Sequence, residues 1–136
     1  IAWSVTNRSP LIRIPVTRGE GTRVELRCPD SAANPYLTLA VCLQAGLDGI
    51  RNQIEPPAAV TENVFEMRMS QKNKLGIEEL PADLGEALAE FEKDEYLQNV
   101  LGRHATEKYI EAKKSEWADY RAQVSDWEIN NYLYKI

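Results

Sequence analysis

The hydrophobic period of this chain changes once, at Pro29, and that change limits the fold more than any other feature. Before it, "WSV", "LIRIPV" and "TRVELRC" are short runs with the period of two that belongs to strands. The glycines of "TRGEGT" (17–22) suit a hairpin connection between the last two runs. After Pro29 the apolar residues recur at helical spacing. The expectation is an α+β fold, with antiparallel strands in a strand-rich segment 1–28 and a mainly helical region over 34–136.

The helical region has recognisable punctuation. Asn34 before Pro35 is a cap followed by a first-turn proline, and residues 35–50 are apolar around most of their circumference. That predicts a buried helix with Leu37, Val41 and Gln44 or Ala45 on one stripe and Gly49 as its terminator. Residues 55–81 carry three prolines and little periodicity, which predicts a long surface connection at about 54–82. A loop of that length invites a functional explanation. Asp83 can cap a helix in which Leu84, Leu88 and Phe91 repeat at i, i+4 and i+7, and Gly102 is placed to end it. Thr106 and Glu107 begin another helical run, marked by Tyr109 and Tyr120 and laced with opposite charges. In the tail, Ser125 or Asp126 can cap a segment whose apolar set, Trp127, Ile129, Tyr132, Leu133 and Ile136, is too rich to leave in water.

Composition narrows the class. The 136 residues are 43% hydrophobic and 27% charged, ordinary for one soluble domain. No run approaches a membrane span and no basic start precedes an apolar stretch, so a cytoplasmic location is expected. Cys28 and Cys42 fit no metal spacing and read as two buried thiols. His104 has no second histidine with which to share a metal and reads as a surface residue at a helix start. Because "IAWSV" opens on Ile1 like the middle of a strand-bearing segment, the chain is expected to be a piece of a longer protein.

Charge is distributed unevenly. Arg8, Arg13, Arg18, Arg23 and Arg27 precede residue 30 against only Glu20, Glu25 and Asp30, whereas the whole chain carries −5. An anionic partner is therefore expected at the strands, and nucleic acid is not, since no basic helix accompanies them. On one face of the third run, Arg23, Glu25 and Arg27 stand at steps of about 7 Å along an extended strand. Guanidinium groups hold phosphate oxygens bidentately, and a carboxylate supplies the hard oxygen that Mg²⁺ or Mn²⁺ prefers. Spacing alone favours a plainer reading, a solvated strand with cross-paired surface charges.

Residues 7–50, "NRSPLIRIPVTRGEGTRVELRCPDSAANPYLTLAVCLQAGLDGI", resemble the C-terminal part of the catalytic domain of bacterial type I glutamine synthetase. The motifs are N-R-S-x-x-I-R-I-P, R-x-E-x-R and P-D-x-x-A-N-P-Y; the later helices and "WADYRAQVSDWE" are similar to that family too. The resemblance implies an ATP-dependent ligase that makes glutamine from glutamate and ammonia through γ-glutamyl phosphate. By residue, it implies that Arg8 contacts the transferred phosphoryl group and glutamate, Arg13 the ATP phosphates, and Arg23 the nucleotide. It implies that Glu25 ligates one of two divalent metals (Mg²⁺ or Mn²⁺) and that Arg27 pairs with the substrate carboxylate or its acyl phosphate.

The family's remaining metal ligands and its ammonium site are expected upstream, in a homo-oligomer that is a dodecamer in the family. Some bacterial relatives carry an adenylylated loop tyrosine where this chain has Phe65. Two other readings share these residues: a related ligase that joins glutamate to another amine, and a non-catalytic interaction module with an inert strand pair.

Overall fold

Three two-residue strands form one sheet in the order β1 (Trp3–Ser4), β2 (Ile12–Arg13), β3 (Glu25–Leu26). Helices follow in the computed structural model, which describes residues 1–133 and 135, so the α+β expectation holds. β2 and β3 are antiparallel, with Arg13 directly opposite Glu25, but β1 and β2 are parallel, pairing Trp3 with Ile12 and Ser4 with Arg13. A parallel pair ordinarily needs a long crossover. Strands this short need only the seven residues of the turn between them. A 3-10 turn at Gly19–Gly21 lies within the β2–β3 connection.

The chain divides into two compact units, Ile1–Leu80 and Pro81–Ile136. In the first, Ala2, Val60, Met67 and Ile77 are buried together, with Val64 packed against them. Val60, Met67 and Ile77 come from the connection at about 54–82, which is therefore tied down rather than draped. The Val60 N–H donates to the Trp3 carbonyl at 2.9 Å and the Trp3 indole N–H to the Pro57 carbonyl at 2.7 Å. The connection also contains a short helix, α2 (Met69–Lys74).

Helix α1 (Pro35–Arg51) starts as its sequence predicts: the Asn34 side chain accepts from the backbone N–H groups of Tyr36 and Leu37. Its burial and its end differ from expectation. None of its residues is buried, and Tyr36, Leu39, Leu43 and Ile50 are all exposed. Helix geometry continues through Gly49. The helix stops at Gln53, whose φ of 51° lets Ile54 N–H reach the Gly49 carbonyl and Gln53 N–H the Ile50 carbonyl.

In the second unit, α3 (Leu84–Lys93), α4 (Glu95–Leu101) and α5 (Arg103–Arg121) pack on one another, with Leu88 buried and Phe91 edge-on to Tyr109. Asp83 caps α3 through the Glu86 N–H. The single helix expected over 83–101 is broken at Asp94, which leaves helical geometry and accepts from the Leu97 N–H as a second cap. An aspartate that can bond its own backbone competes with the helix interior in this way. Gly102 takes φ 78° between α4 and α5, as its place in the sequence predicts, and α5 begins at Arg103 rather than at Thr106. Thr106 is buried and donates its hydroxyl proton to the Gln98 carbonyl. Ser125 caps α6 (Asp126–Glu128), which runs into a π-turn at Ile129–Leu133. Trp127, Tyr132 and Leu133 are exposed, Ile129 is half-buried, and Ile136 lies outside the described residues.

Gly85 shows how closely α3 and α5 approach. A Cβ there would stand 2.5 Å from Trp117 Nε1 and 2.9 Å from its Cε2. The indole is also held by stacking on Tyr120. Gly85→Ala should gain about 1 kcal/mol of helix propensity but lose about 1–3 kcal/mol to overpacking, and the clash wins because a ring edge cannot bend away. A lower urea midpoint for Gly85→Ala, restored in Gly85→Ala/Trp117→Phe, is the expected result; a raised midpoint in the single variant would show the ring free to move.

Candidate functional site

β2 and β3 bring Arg13 and Glu25 face to face, and the carboxylate takes a second arginine from its own strand. Arg13 Nη1 lies 2.9 Å from Glu25 Oε2, while Arg23 Nε and Nη2 lie 2.9 and 2.7 Å from Oε1. Both Arg23 nitrogens converge on that one oxygen, leaving the other to Arg13. Both guanidinium groups favour the ionised carboxylate. The hydrogen bond from Arg13, and then that from Arg23, hold the Glu25 carboxyl below the usual carboxylate range, against a smaller opposing effect of desolvation. Arg13 is mostly buried, and its Nε has no acceptor among the described residues. An uncompensated buried N–H is costly.

Arg8 and Arg27 are not in that cluster. They line a cavity of about 350 Å³, together with Cys28, Lys72, Phe65 and Ile77 among others. Arg27 is fixed by its backbone, since its N–H donates to the Leu11 carbonyl at 3.0 Å and so extends the β2–β3 ladder. The five sequence-predicted residues thus fall into two groups on one strand pair and its flanks: Arg13, Glu25 and Arg23 in an ion-paired cluster, Arg8 and Arg27 at a cavity.

Strict alternation along the third run gives out at its end, because Arg27 and Cys28 both line the cavity. Nor do the strands have a covered apolar face: Val24 is 64% exposed and Leu26 38%. The two cysteines, expected to be buried, are exposed at Cys28 and half-buried at Cys42. His104 is exposed at the start of α5, as expected. Lys72, which ion-pairs with Glu79 at 3.0 Å, is a cavity cation that sequence reasoning missed. It sits in a stretch without periodicity, so nothing in the sequence could have singled it out.

A divalent cation finds one oxygen ligand here. Glu25 Oε2 keeps a lone pair beyond its bond to Arg13, whereas Oε1 already takes both Arg23 nitrogens, and Mg²⁺ requires near-octahedral coordination. Among the described residues no group of three histidine, cysteine or acidic side chains could hold a metal ion. Glu25 therefore fits a metal centre as one contributor and not as the whole of it. No helix among the described residues is long and apolar enough to cross a membrane.

Residues 1–132 match the family model described as "Glutamine synthetase, catalytic domain". The chain is 51% identical over 135 residues to the glutamine synthetase of Clostridium saccharobutylicum, covering 99% of this chain and 30% of that protein. It is 50% identical over 133 residues to that of Methanocaldococcus jannaschii, covering 98% and 29%, and 49% identical over 134 residues to that of Thermotoga maritima, covering 98% and 30%. It thus spans about 30% of the length of these curated relatives. A solved structure described as "GmaS/ADP complex-Conformation 1" superposes with a TM-score of 0.83 at 37% identity, over 97% of this chain and 29% of that one. A family match over nearly the whole chain, with about half of its residues identical to those of these relatives, shows that the chain belongs to the glutamine synthetase catalytic-domain family.

Proposed function

We propose that this chain is the C-terminal part of the catalytic domain of a bacterial type I glutamine synthetase. The full-length enzyme makes glutamine from glutamate, ammonia and ATP in the cytoplasm, as a homo-oligomer that is a dodecamer by analogy with its family. The observation that carries the reading is the strand pair: one carboxylate locked between Arg13 and Arg23, with Arg27 continuing the same strand to a cavity that it shares with Arg8. Among the relatives described above, the solved structure complexed with ADP supports a nucleotide site in the fold.

In the reaction, a γ-carboxylate oxygen of glutamate attacks the γ-phosphorus of ATP. The bond from that phosphorus to the β-phosphate oxygen breaks, and ADP leaves γ-glutamyl phosphate behind. Ammonia then adds to the acyl carbon, phosphate departs with the C–O bonding pair, and the nitrogen releases a proton to give the amide. Negative charge must be held at both ends of the phosphoryl transfer, and fixed guanidinium groups do so without reorganising.

Arg13 is assigned to the phosphates of ATP and Arg23 to the nucleotide. The buried, acceptor-less Arg13 Nε supports this, since a phosphate oxygen is the kind of partner it lacks. Arg8 is assigned to the transferred phosphoryl group and glutamate, and Arg27 to the substrate carboxylate or its acyl phosphate. Glu25 would contribute one ligand to a bound Mg²⁺ or Mn²⁺, which when present neutralises phosphate charge. An acceptor amine other than ammonia would use the same residues; its site is not among those described.

Glu25→Gln in the full-length enzyme keeps the shape and removes the charge that both arginines and the metal share. Turnover should fall by roughly 100-fold or more, the scale of losing one transition-state electrostatic contact, with little change in melting temperature. Near-normal turnover at saturating Mg²⁺ would remove Glu25 from the metal centre.

The same cluster sets an acid limit. Because Glu25 titrates below its ordinary value in the folded state, its contribution to stability is complete above the usual carboxylate range and is lost only as pH falls through the depressed value. Carbon-detected NMR of the labelled Glu25 carboxyl should show its midpoint rising in Arg13→Met, and rising less in Arg23→Met, since the Arg13 bond is the larger cause. An unmoved midpoint in both would mean that the ion pairs are not held in solution.

Phe65 bears on regulation. It is 83% exposed on the connection and has no hydroxyl to accept an adenylyl group. The full-length enzyme from nitrogen-replete cells should therefore carry no added AMP on the peptide around Phe65. Intact-mass and peptide-mapping measurements decide it, and a mapped AMP would overturn the assignment.

A further inference from the structure

Arg8 is exposed, yet the residues on either side of it are tied to another part of the chain. Asn7 donates through Nδ2 to the Glu62 carbonyl, and the Val64 N–H donates to Ser9 Oγ at 2.9 Å. Two local bonds close the turn between these ties. The Asn7 N–H donates to Ser4 Oγ at 3.2 Å, and the Ser9 N–H donates to Asn7 Oδ1 at 2.9 Å. Ser4 is the most buried side chain described, at 1% exposure, so the turn is rooted in a group that cannot move.

The loop side is rooted too. Val60 and Met67 lie in the buried cluster on either side of the contacts at 62 and 64, and Val60 is hydrogen-bonded to β1. A loop pinned at both ends presents its carbonyl and its N–H at fixed points.

We propose that Asn7 and Ser9 are positioning residues for Arg8, holding its backbone against the loop at Glu62 and Val64 so that its guanidinium meets the transferred phosphoryl group in one orientation. The inference rests on the role assigned to Arg8 above. It also explains why that arginine stands between an asparagine and a serine. Asparagine supplies an acceptor for its own turn and a donor for the loop at once, and serine supplies a small hydroxyl acceptor beside a bulky side chain. Neither Asn7 nor Ser9 touches substrate in this account. Both act through Arg8, and a displacement of about 1 Å in such a group can cost on the order of 100-fold in rate.

The test is a double-mutant cycle in the full-length enzyme with Ser9→Ala, Arg8→Lys and the pair. Ser9→Ala should lower kcat by about 10-fold or more, within the range that misplacement produces, and leave the KM for ATP nearly unchanged because Arg13 and Arg23 are untouched. Ser9→Thr, which keeps an acceptor for the Val64 N–H, should restore most of the loss. With Arg8→Lys already present, Ser9→Ala should cost less than about twofold, since the fork it orients is gone.

An equal cost in both backgrounds would overturn the positioning role while leaving the assignment of Arg8 intact. An Arg8→Lys enzyme of normal activity would instead overturn that assignment. Asn7→Ser, which removes the bond to Glu62, serves the same cycle if Ser9→Ala does not fold. A crystal structure of the Ser9→Ala enzyme gives the readout independent of activity, and an unmoved Arg8 there would sink the inference whatever the kinetics.

Discussion

The first unit depends on the seam where residues 57–64 lie against β1 and the turn after it. With only Ala2, Val60, Met67 and Ile77 buried together, apolar burial there is small, and directional bonds must fix what a larger core would fix by packing. The indole of Trp3, the amide of Val60, the Asn7 side chain and the Ser9 hydroxyl all cross that seam. Each bond contributes about 1 kcal/mol net, but together they convert a long connection into a second wall for Arg8.

The sheet solves a different problem. Two-residue strands give few ladder bonds, and the β2–β3 pair adds the Arg13–Glu25 contact directly across the register. A single cross-strand ion pair at a partly exposed site is worth little. What distinguishes this one is that Glu25 is shared, so two guanidinium charges face one carboxylate and the cluster keeps one positive charge uncompensated. The cluster is thus held in place ready for an anion, with no need to assemble when one arrives.

Several features were legible in the sequence because their causes are local. Asn34 before Pro35, Asp83, Gly102 and Ser125 each act within one helical turn, and all four do in the structure what their positions predict. The alternation of Arg23 and Glu25 was legible for the same reason. Asp94 was not: it reads as one more polar residue on a helix, and only its own cap bond to Leu97 reveals the break. The separation of Arg8 and Arg27 from the other charged residues was also hidden, because it depends on Leu11, Phe65 and Ile77 converging from distant positions to wall a cavity.

The failures over burial share one cause. Pattern reading infers that an apolar residue is covered, but not by what. Helix α1 has the composition of a buried element, yet Tyr36, Leu39, Leu43 and Ile50 stand exposed at spacings of three, four and seven, which places them along one side of it. Cys28, expected to be a buried thiol, fails in the same direction. Such a stripe is more than a lone surface apolar residue, which needs no explanation. In the enzyme proposed above, this chain supplies about 30% of the length of its relatives. A sequence shaped by contacts across a whole catalytic domain would write burial into residues whose covering atoms belong to the other 70%. The local signals hold in this chain and the burial signals do not, because a cap needs only its own helix and a core needs its neighbours.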